Sequence, residues 1–284
     1  MFLPIPRVSA FTSSELASCE ARYPSLFAEI RADFEDLTQR GVISRARELG
    51  MDVKGQHVNS TEYPMYFTGD LDARFVLVHL NPKDDDSHEP KRTAPLLLKS
   101  FEEYFDAFRH WGERCYAPGC ERPTKTAFDK KQRRFLRPFG VIAFEETDEG
   151  EAGFENLRRV VDCKLQLELI PYGSADFNAG AFGMASIRPH FERILRVVAT
   201  CHRDFVVFCG KVFTPILKEF VVGDPHRFNL LKKGDVPERL TSSFANIEIP
   251  YGDRVIRAGW CPSWARKGLP MTAYAREVVA RYAR

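Results

Sequence analysis

The sequence predicts an α/β protein, a three-layer α/β/α sandwich with a central, mainly parallel four-stranded sheet. Apolar, β-branched runs of strand length alternate with segments whose apolar residues recur at helical spacing. A turn-forming residue, glycine, proline or asparagine, follows each predicted strand. In an open α/β sheet the carboxyl ends of the strands form the edge that binds ligands, so these turns are expected to meet there. The predicted strands are Phe75 to Leu80, Lys164 to Ile170, Asp204 to Cys209 and Arg254 to Ala258.

Composition limits the classes of protein to be considered. The chain has 284 residues, 44% of them hydrophobic and 28% charged, which is enough to bury a sizeable core. The seven cysteines are scattered and odd in number, so we expect reduced thiols. There is no apolar membrane span and no signal-peptide pattern. We therefore expect a cytoplasmic protein that does not bind a membrane. The oligomeric state is not indicated by the sequence.

Residues 1–70 are expected to form a helical lead-in packed on the domain, and residues 71–284 to form the α/β/α domain itself. Pro24 suits the first turn of a helix that ends at Gly41, and residues 51–70 have the composition of a loop. The strand from Lys164 alternates apolar and polar residues, which predicts a strand that is half-exposed or lies near an edge. Other helices are predicted from about Ala94 to Trp111, Ser186 to Cys201, Lys211 to Phe220 and Pro270 to Tyr282. Residues 223–240 are expected to be irregular, and Phe244 to Ile249 to form a hairpin with the last strand.

The first predicted strand ends at Asn81-Pro82. Because proline has no N–H and biases the residue before it away from the helical region, the strand must end in a turn there. Asn81 either closes this turn or presents its amide to a ligand. An acidic run follows, which either binds a cation or supplies a base, or is a solvated turn. This run comprises Asp84, Asp85, Asp86 and Glu89.

Three short motifs at predicted strand ends resemble the uracil-DNA glycosylase superfamily, especially its mismatch-specific and single-strand-selective branches. They are Leu80-Asn81-Pro82, Phe208-Cys209-Gly210-Lys211 and Cys261-Pro262-Ser263. The resemblance extends, in pieces, from Phe75 to the C-terminus. It departs from the family at His79 and Lys83, where the family has glycine, and at Cys261, where many members have histidine.

The resemblance implies that Asn81 positions a hydrolytic water beside the N-glycosidic bond of a base flipped out of DNA. A neutral amide can orient that water as positive charge develops on the sugar. Pro82, Tyr172 and the Cys261-Pro262-Ser263 loop would then line the substrate site. A histidine in this loop would stabilise the departing base, and a cysteine cannot carry that positive charge. The resemblance therefore implies a slow glycosylase, a specialist for bases that leave easily, or a protein without this activity.

Basic and aromatic residues suggest DNA as the candidate partner, in spite of a net charge of only +2. The basic stretch from Lys125 to Arg137 either binds phosphates or forms a solvated helix face. Trp260 and Trp264 either wedge between bases or fill the core. The predicted nucleic-acid contacts are Lys130, Lys131, Arg133, Arg134, Lys211, Trp260, Trp264, Arg266 and Lys267.

We expect neither a metal nor another cofactor. Cys115 and Cys120 are not at a good zinc spacing, and the cysteines do not match a four-cysteine iron–sulfur pattern. A second function belongs to a different class: a member of the same fold that binds a nucleotide, a nucleic acid or a protein without catalysis.

Overall fold

A mixed seven-stranded sheet forms the centre of this α/β protein. A computed structural model describes residues 13–51, 58–80, 82, 98–112, 127–139, 150–174, 183–228, 244–261 and 271–282. The strands are β1 (Phe67–Gly69), β2 (Phe75–His79), β3 (Leu165–Glu168), β4 (Phe205–Cys209), β5 (Val222–Phe228), β6 (Phe244–Tyr251) and β7 (Arg254–Cys261). Their order across the sheet is β1-β3-β2-β4-β7-β6-β5.

The four predicted strands are neighbours in this sheet and run parallel to one another. β2 pairs with β3 on one side and with β4 on the other, and β4 pairs with β7. Antiparallel strands flank this group: β1 pairs with β3, β6 with β7, and β5 with β6. The predicted β6–β7 hairpin is therefore confirmed, with its turn at Gly252 and Asp253.

Helices pack on both faces of the sheet. They are α1 (Ser13–Arg22), α2 (Pro24–Arg40), α3 (Ser44–Met51), α4 (Phe101–Arg109), α5 (Ala127–Leu136), α6 (Gly150–Cys163), α7 (Met184–Ala199), α8 (Phe213–Phe220) and α9 (Met271–Tyr282), with a 3-10 turn at Arg137–Phe139. α2 ends as predicted, because Gly41 adopts φ 71° and its N–H donates to the Leu37 carbonyl at 2.9 Å. The side chain of Ser100 caps α4 by accepting the N–H of Glu103 at 3.2 Å.

The alternation of side chains along the strands gives the sheet two buried faces. On the first face, residues such as Val76, Val78 and Phe208 pack against α1, α2, α4, α7 and α8. On the second face, Leu77 and Val207 join a smaller cluster with residues of α5, α6 and α9. Burial on both faces explains why these strands read as continuous apolar runs.

The prediction of a four-stranded sheet is corrected to seven strands, three of them antiparallel additions. β1 is only three residues long and lies in the 51–70 segment that was expected to be a loop. β5 contains Pro225, and its pairing with β6 shifts register between Val222 and His226. Short length and a proline-containing irregularity both hide the period-two pattern that identifies a strand.

β3 lies next to the edge strand β1, so its predicted position near an edge is confirmed, whereas the alternative of a half-exposed strand was wrong. It lies between β1 and β2, and three of its four residues are buried. Helix α6 was not predicted either. No helix among the described residues is long and apolar enough to cross a membrane.

Candidate functional site

The carboxyl ends of the four parallel strands meet at one edge of the sheet. β2 ends at His79, β3 at Glu168, β4 at Cys209 and β7 at Cys261. Since these strands are parallel and in register, their last residues lie side by side. This is the edge at which the sequence places its candidate site, and we call it the carboxyl edge.

Backbone hydrogen bonds tie these turns to one another. The N–H of Ile170 donates to the Leu80 carbonyl at 2.8 Å, and the N–H of Ser174 donates to the Pro82 carbonyl at 3.3 Å. Asn81 lies outside the described residues, but both of its chain neighbours are thus held by the turn that follows β3.

The turn after β4 is joined to the end of β7 in the same way. The N–H of Gly210 donates to the Cys261 carbonyl at 2.8 Å, and the indole Nε1–H of Trp260 donates to the Gly210 carbonyl at 3.0 Å. Gly210 has φ 138°, a conformation that favours glycine over residues with a Cβ. Trp260 also packs against the first core, so its ring is anchored to the domain.

Four side chains with acid–base or thiol chemistry form a row across the second face at this edge. His79 is paired with Glu168, and Cys209 with Cys261, while the preceding residues of β2 and β4 are themselves paired. Glu168, His79, Cys209 and Cys261 therefore point to the same side in strand order. We call these four residues the polar row. Glu168 is 2% exposed and Cys261 is fully buried.

Burial shifts the pKa values of His79 and Cys209, two members of the polar row, towards their neutral forms. Desolvation, together with the nearby positive charge of Lys164, lowers the pKa of His79 to about 3. Desolvation also raises the pKa of Cys209, with smaller contributions from Cys261 and Glu168. At neutral pH the imidazole is therefore uncharged and the Cys209 thiol is protonated.

Glu168 is the end of a chain of polar side chains that runs along β3. The Lys164 ammonium donates to Gln166 Oε1 at 2.8 Å, and the amide of Gln166 donates to Glu168 Oε1 at 2.8 Å. From α5, the amide of Gln132 donates to Gln166 Oε1 at 3.3 Å. The polar residues of β3 thus hydrogen-bond to one another inside the protein, which is why their alternation gave a misleading impression of exposure.

Tyr172 lies at the carboxyl edge, and its hydroxyl points to the helical layer. It donates to Asp33 Oδ2 at 2.9 Å, and Tyr66 donates to the same oxygen at 2.7 Å. Arg45 binds the other oxygen, Oδ1, at 2.8 Å. Burial raises the pKa of Asp33, although Arg45 and the two tyrosines oppose this shift. The turn after β3 is therefore fixed to α2 and α3 by a buried carboxylate.

Only part of the predicted basic patch is available to a ligand. Lys131 and Arg133 are each 7% exposed, whereas Lys130 is half-buried and Arg134 is exposed. Burial lowers the pKa of Lys131, and the neighbouring Cys261 acts in the opposite direction. Lys211, directly after Gly210, is exposed at the carboxyl edge.

Several predicted site residues lie outside the described residues. They are Asn81, Pro262, Ser263, Trp264, Arg266, Lys267 and the acidic run from Asp84 to Glu89. Conversely, sequence reasoning missed Glu168, Gln166 and Asp33 as members of buried networks. The sequence signal that could have revealed the buried network of β3 is the regular alternation of polar residues in this strand, just before Pro171.

Comparison with known proteins adds no relative to this description: no family model and no curated protein matches the chain. Within the described part of the chain, no group of three or more His, Cys, Asp or Glu residues is placed to hold a metal ion. The interpretation of the carboxyl edge therefore rests on its own geometry and on the motifs that it carries.

Proposed function

We propose that this protein is a divergent, uracil-DNA glycosylase-like hydrolase that cleaves the N-glycosidic bond of a damaged base flipped out of DNA. The observation that carries the proposal is the tied carboxyl edge. There, hydrogen bonds from Ile170 and Ser174 restrain the residues on both sides of Asn81. A catalytic amide needs such restraint, because a positioning error of about 1 Å can cost a hundredfold in rate.

In this mechanism Asn81 acts on the attacking water. Its side-chain carbonyl accepts a hydrogen bond from the water and holds an oxygen lone pair towards the anomeric carbon. As the glycosidic bond lengthens, positive charge develops on the sugar and negative charge on the departing base. A neutral amide does not compete as a nucleophile, so its contribution is orientation. Base extrusion supplies the access that a stacked base lacks.

The departing base would receive little charge stabilisation from the polar row. The His79 imidazole is neutral at physiological pH, and Cys261 has its thiol buried in the second core. A thiol is a weak donor in any case. We therefore propose slow turnover, or a preference for bases that are already good leaving groups.

Nucleic acid would approach from the exposed rim of this edge. Lys211 and Arg134 are the exposed cations among the described residues proposed for phosphate contact. Pro262, Ser263, Trp264, Arg266 and Lys267 follow β7 directly and are proposed to complete the DNA-facing loop, with Pro82 and Tyr172 beside the base.

A second candidate function is binding of a nucleotide, nucleic acid or protein by the same edge without catalysis. One observation favours it: Cys261 is fully buried, so its side chain does not reach solvent where a glycosylase histidine would act. The same tied turns would then provide a rigid binding rim.

One assay separates the two functions. Parent protein is incubated with single- and double-stranded DNA that carries uracil, and alkali cleavage then reports abasic sites. The proposal predicts slow, reproducible strand cleavage that falls at least about a hundredfold in Asn81→Ala. Gln39→Ala, which removes an exposed amide on α2, should keep the parent's rate. Cleavage by Asn81→Ala at the parent's rate would refute the mechanism, and DNA binding without cleavage would support the second function.

A further inference from the structure

A cleft of about 1030 Å³ opens at the amino ends of β2, β4 and β7. Its walls are residues 198–204 at the end of α7, residues 254–257 at the start of β7, the 3-10 turn and the end of α9. Because β4 is five residues long, roughly 17 Å separates its two ends. The cleft is therefore distinct from the carboxyl edge.

Cations dominate the walls of this cleft. Its lining contains Arg74, Arg203, Arg254 and Arg257, and the single carboxylate among the lining residues is Asp204. Asp204 pairs with Arg74 at 2.7 Å and with His202 at 3.4 Å. Glu248 faces Arg257 across the β6–β7 pair, just beyond the lining. The positive side chains thus outnumber the nearby carboxylates.

Two of these arginines are held in place by neutral groups. Arg254 donates to the Ala199 carbonyl at 2.7 Å, and Arg203 donates to the Leu71 carbonyl at 2.7 Å. Arg203 also binds carbonyls at the end of α7. These contacts fix the guanidinium groups in position, and Asp72 is the carboxylate whose pKa Arg203 helps to lower. The electrostatic field of the cleft is therefore positive and preorganised.

The floor of the cleft is apolar. Phe139 and Val278, which belong to the second core, line it together with Val255, which is 58% exposed. Exposure of a large apolar side chain in a concave, charged setting is typical of a ligand site, because the ligand covers it when bound. The complement of this cleft is a ligand with an apolar ring at one end and anionic groups at the other.

We propose that this cleft binds a nucleoside phosphate. The ring would lie on the floor around Val255 and Phe139, and the phosphates would contact Arg74, Arg254 and Arg257. The volume reaches the upper end of the range for sites of small organic ligands. Planar guanidinium groups match phosphate oxygens with paired hydrogen bonds. The proposal does not rest on the proposed glycosylase activity.

The test measures binding of ATP, adenosine and inorganic phosphate by titration calorimetry. ATP should bind more tightly than either of its parts, and added salt should weaken it. Val255→Glu places a negative charge inside the cleft, and Val255→Gln is its uncharged match in shape. Because a negative charge close to the phosphates repels them, the glutamate variant should bind ATP at least about tenfold more weakly than the glutamine variant. Urea unfolding of both variants confirms that they fold.

Further variants locate the site. Arg257→Gln should also weaken ATP binding, whereas Arg47→Gln, an exposed arginine of α3, and Asn81→Ala should not. The proposal is overturned if ATP does not bind at about 1 mM, or if Val255→Glu and Val255→Gln bind it equally. Phosphate that binds as tightly as ATP would also overturn it. So would a short oligothymidylate that binds more tightly than ATP, since the cleft would then be a nucleic-acid groove.

Discussion

Replacing His79 with glutamine should remove a large part of the acid sensitivity of this protein. The ring Nε2 of His79 is shielded from solvent, and burial lowers the pKa of the residue to about 3 from an ordinary value of about 6.5. At pH values between these two pKa values, the His79 imidazole is therefore protonated in the unfolded chain and neutral in the folded protein. The stabilising contribution is complete above pH 6.5 and is lost as pH falls towards 3.

The magnitude follows from the two pKa values. One pKa unit corresponds to about 1.4 kcal/mol, so lowering the pH from 7 to 5 costs the folded state about 2 kcal/mol through His79 alone. Any folded-state pKa below about 4 gives nearly the same figure, because the imidazole is then neutral throughout this pH range. His190, whose pKa burial and Arg193 also lower to about 3, contributes a second loss of similar size.

The assay is urea unfolding of the parent and of His79→Gln at pH 7 and pH 5, with the free energy of unfolding obtained at each pH. The drop between the two pH values should be smaller in the variant by about 2 kcal/mol, whatever its stability at pH 7. His202→Gln, which alters a histidine that is 85% exposed, is the matched control. An equal drop in the parent and in His79→Gln would refute the assignment of a buried, neutral imidazole.

Two further substitutions test the packing of the second face and the remaining basic patch. A Cβ at Gly259 would come within 1.9 Å of the Tyr274 hydroxyl, so Gly259→Ala should lower the free energy of unfolding by about 2 kcal/mol. Gly183→Ala, where nothing lies within 4 Å, should have little effect in the same urea titration. Lys130→Glu with Arg134→Glu should weaken binding of single-stranded DNA and lower the slope of log affinity against log salt by roughly 1. An unchanged slope would show that this surface does not contact phosphates.

The sequence was sufficient to predict the parallel centre of the sheet. β2 and β4 are buried on both faces, so their apolar runs needed no tertiary information to be identified. Helix α2 was equally well defined, because Pro24 and Gly41 mark its two ends and apolar residues recur between them.

The misassigned strands share one cause: their patterns depend on neighbours that are distant in the chain. β3 carries Gln166 and Glu168 into the interior, where Lys164 and Gln132 bind them, and such pairing cannot be read from local alternation. β1 exists only because Leu165 to Leu167 offer it a partner. Local propensity does not contain this information.

The sequence predicted that several strand ends lie together, but not how the side chains there pack. The strands before the turn-forming residues that follow Leu80, Ile170 and Cys209 have their carboxyl ends at one edge of the sheet. The burial of Cys261 and the attachment of Tyr172 to Asp33 both depend on how helices pack on the sheet. The positive cleft was missed because its arginines come from three separate strand and loop segments.

The most direct test of the central claim, that the carboxyl edge is the functional edge, is hydrogen–deuterium exchange with DNA bound. The probe is duplex DNA with a tetrahydrofuran analogue of an abasic site, compared with undamaged DNA of the same sequence. Our account predicts slower exchange, specific to the analogue, in residues 80–82, 169–174 and 260–263. Protection confined to residues 73–75, 199–204 and 254–257, around the cleft at the opposite edge, would contradict it.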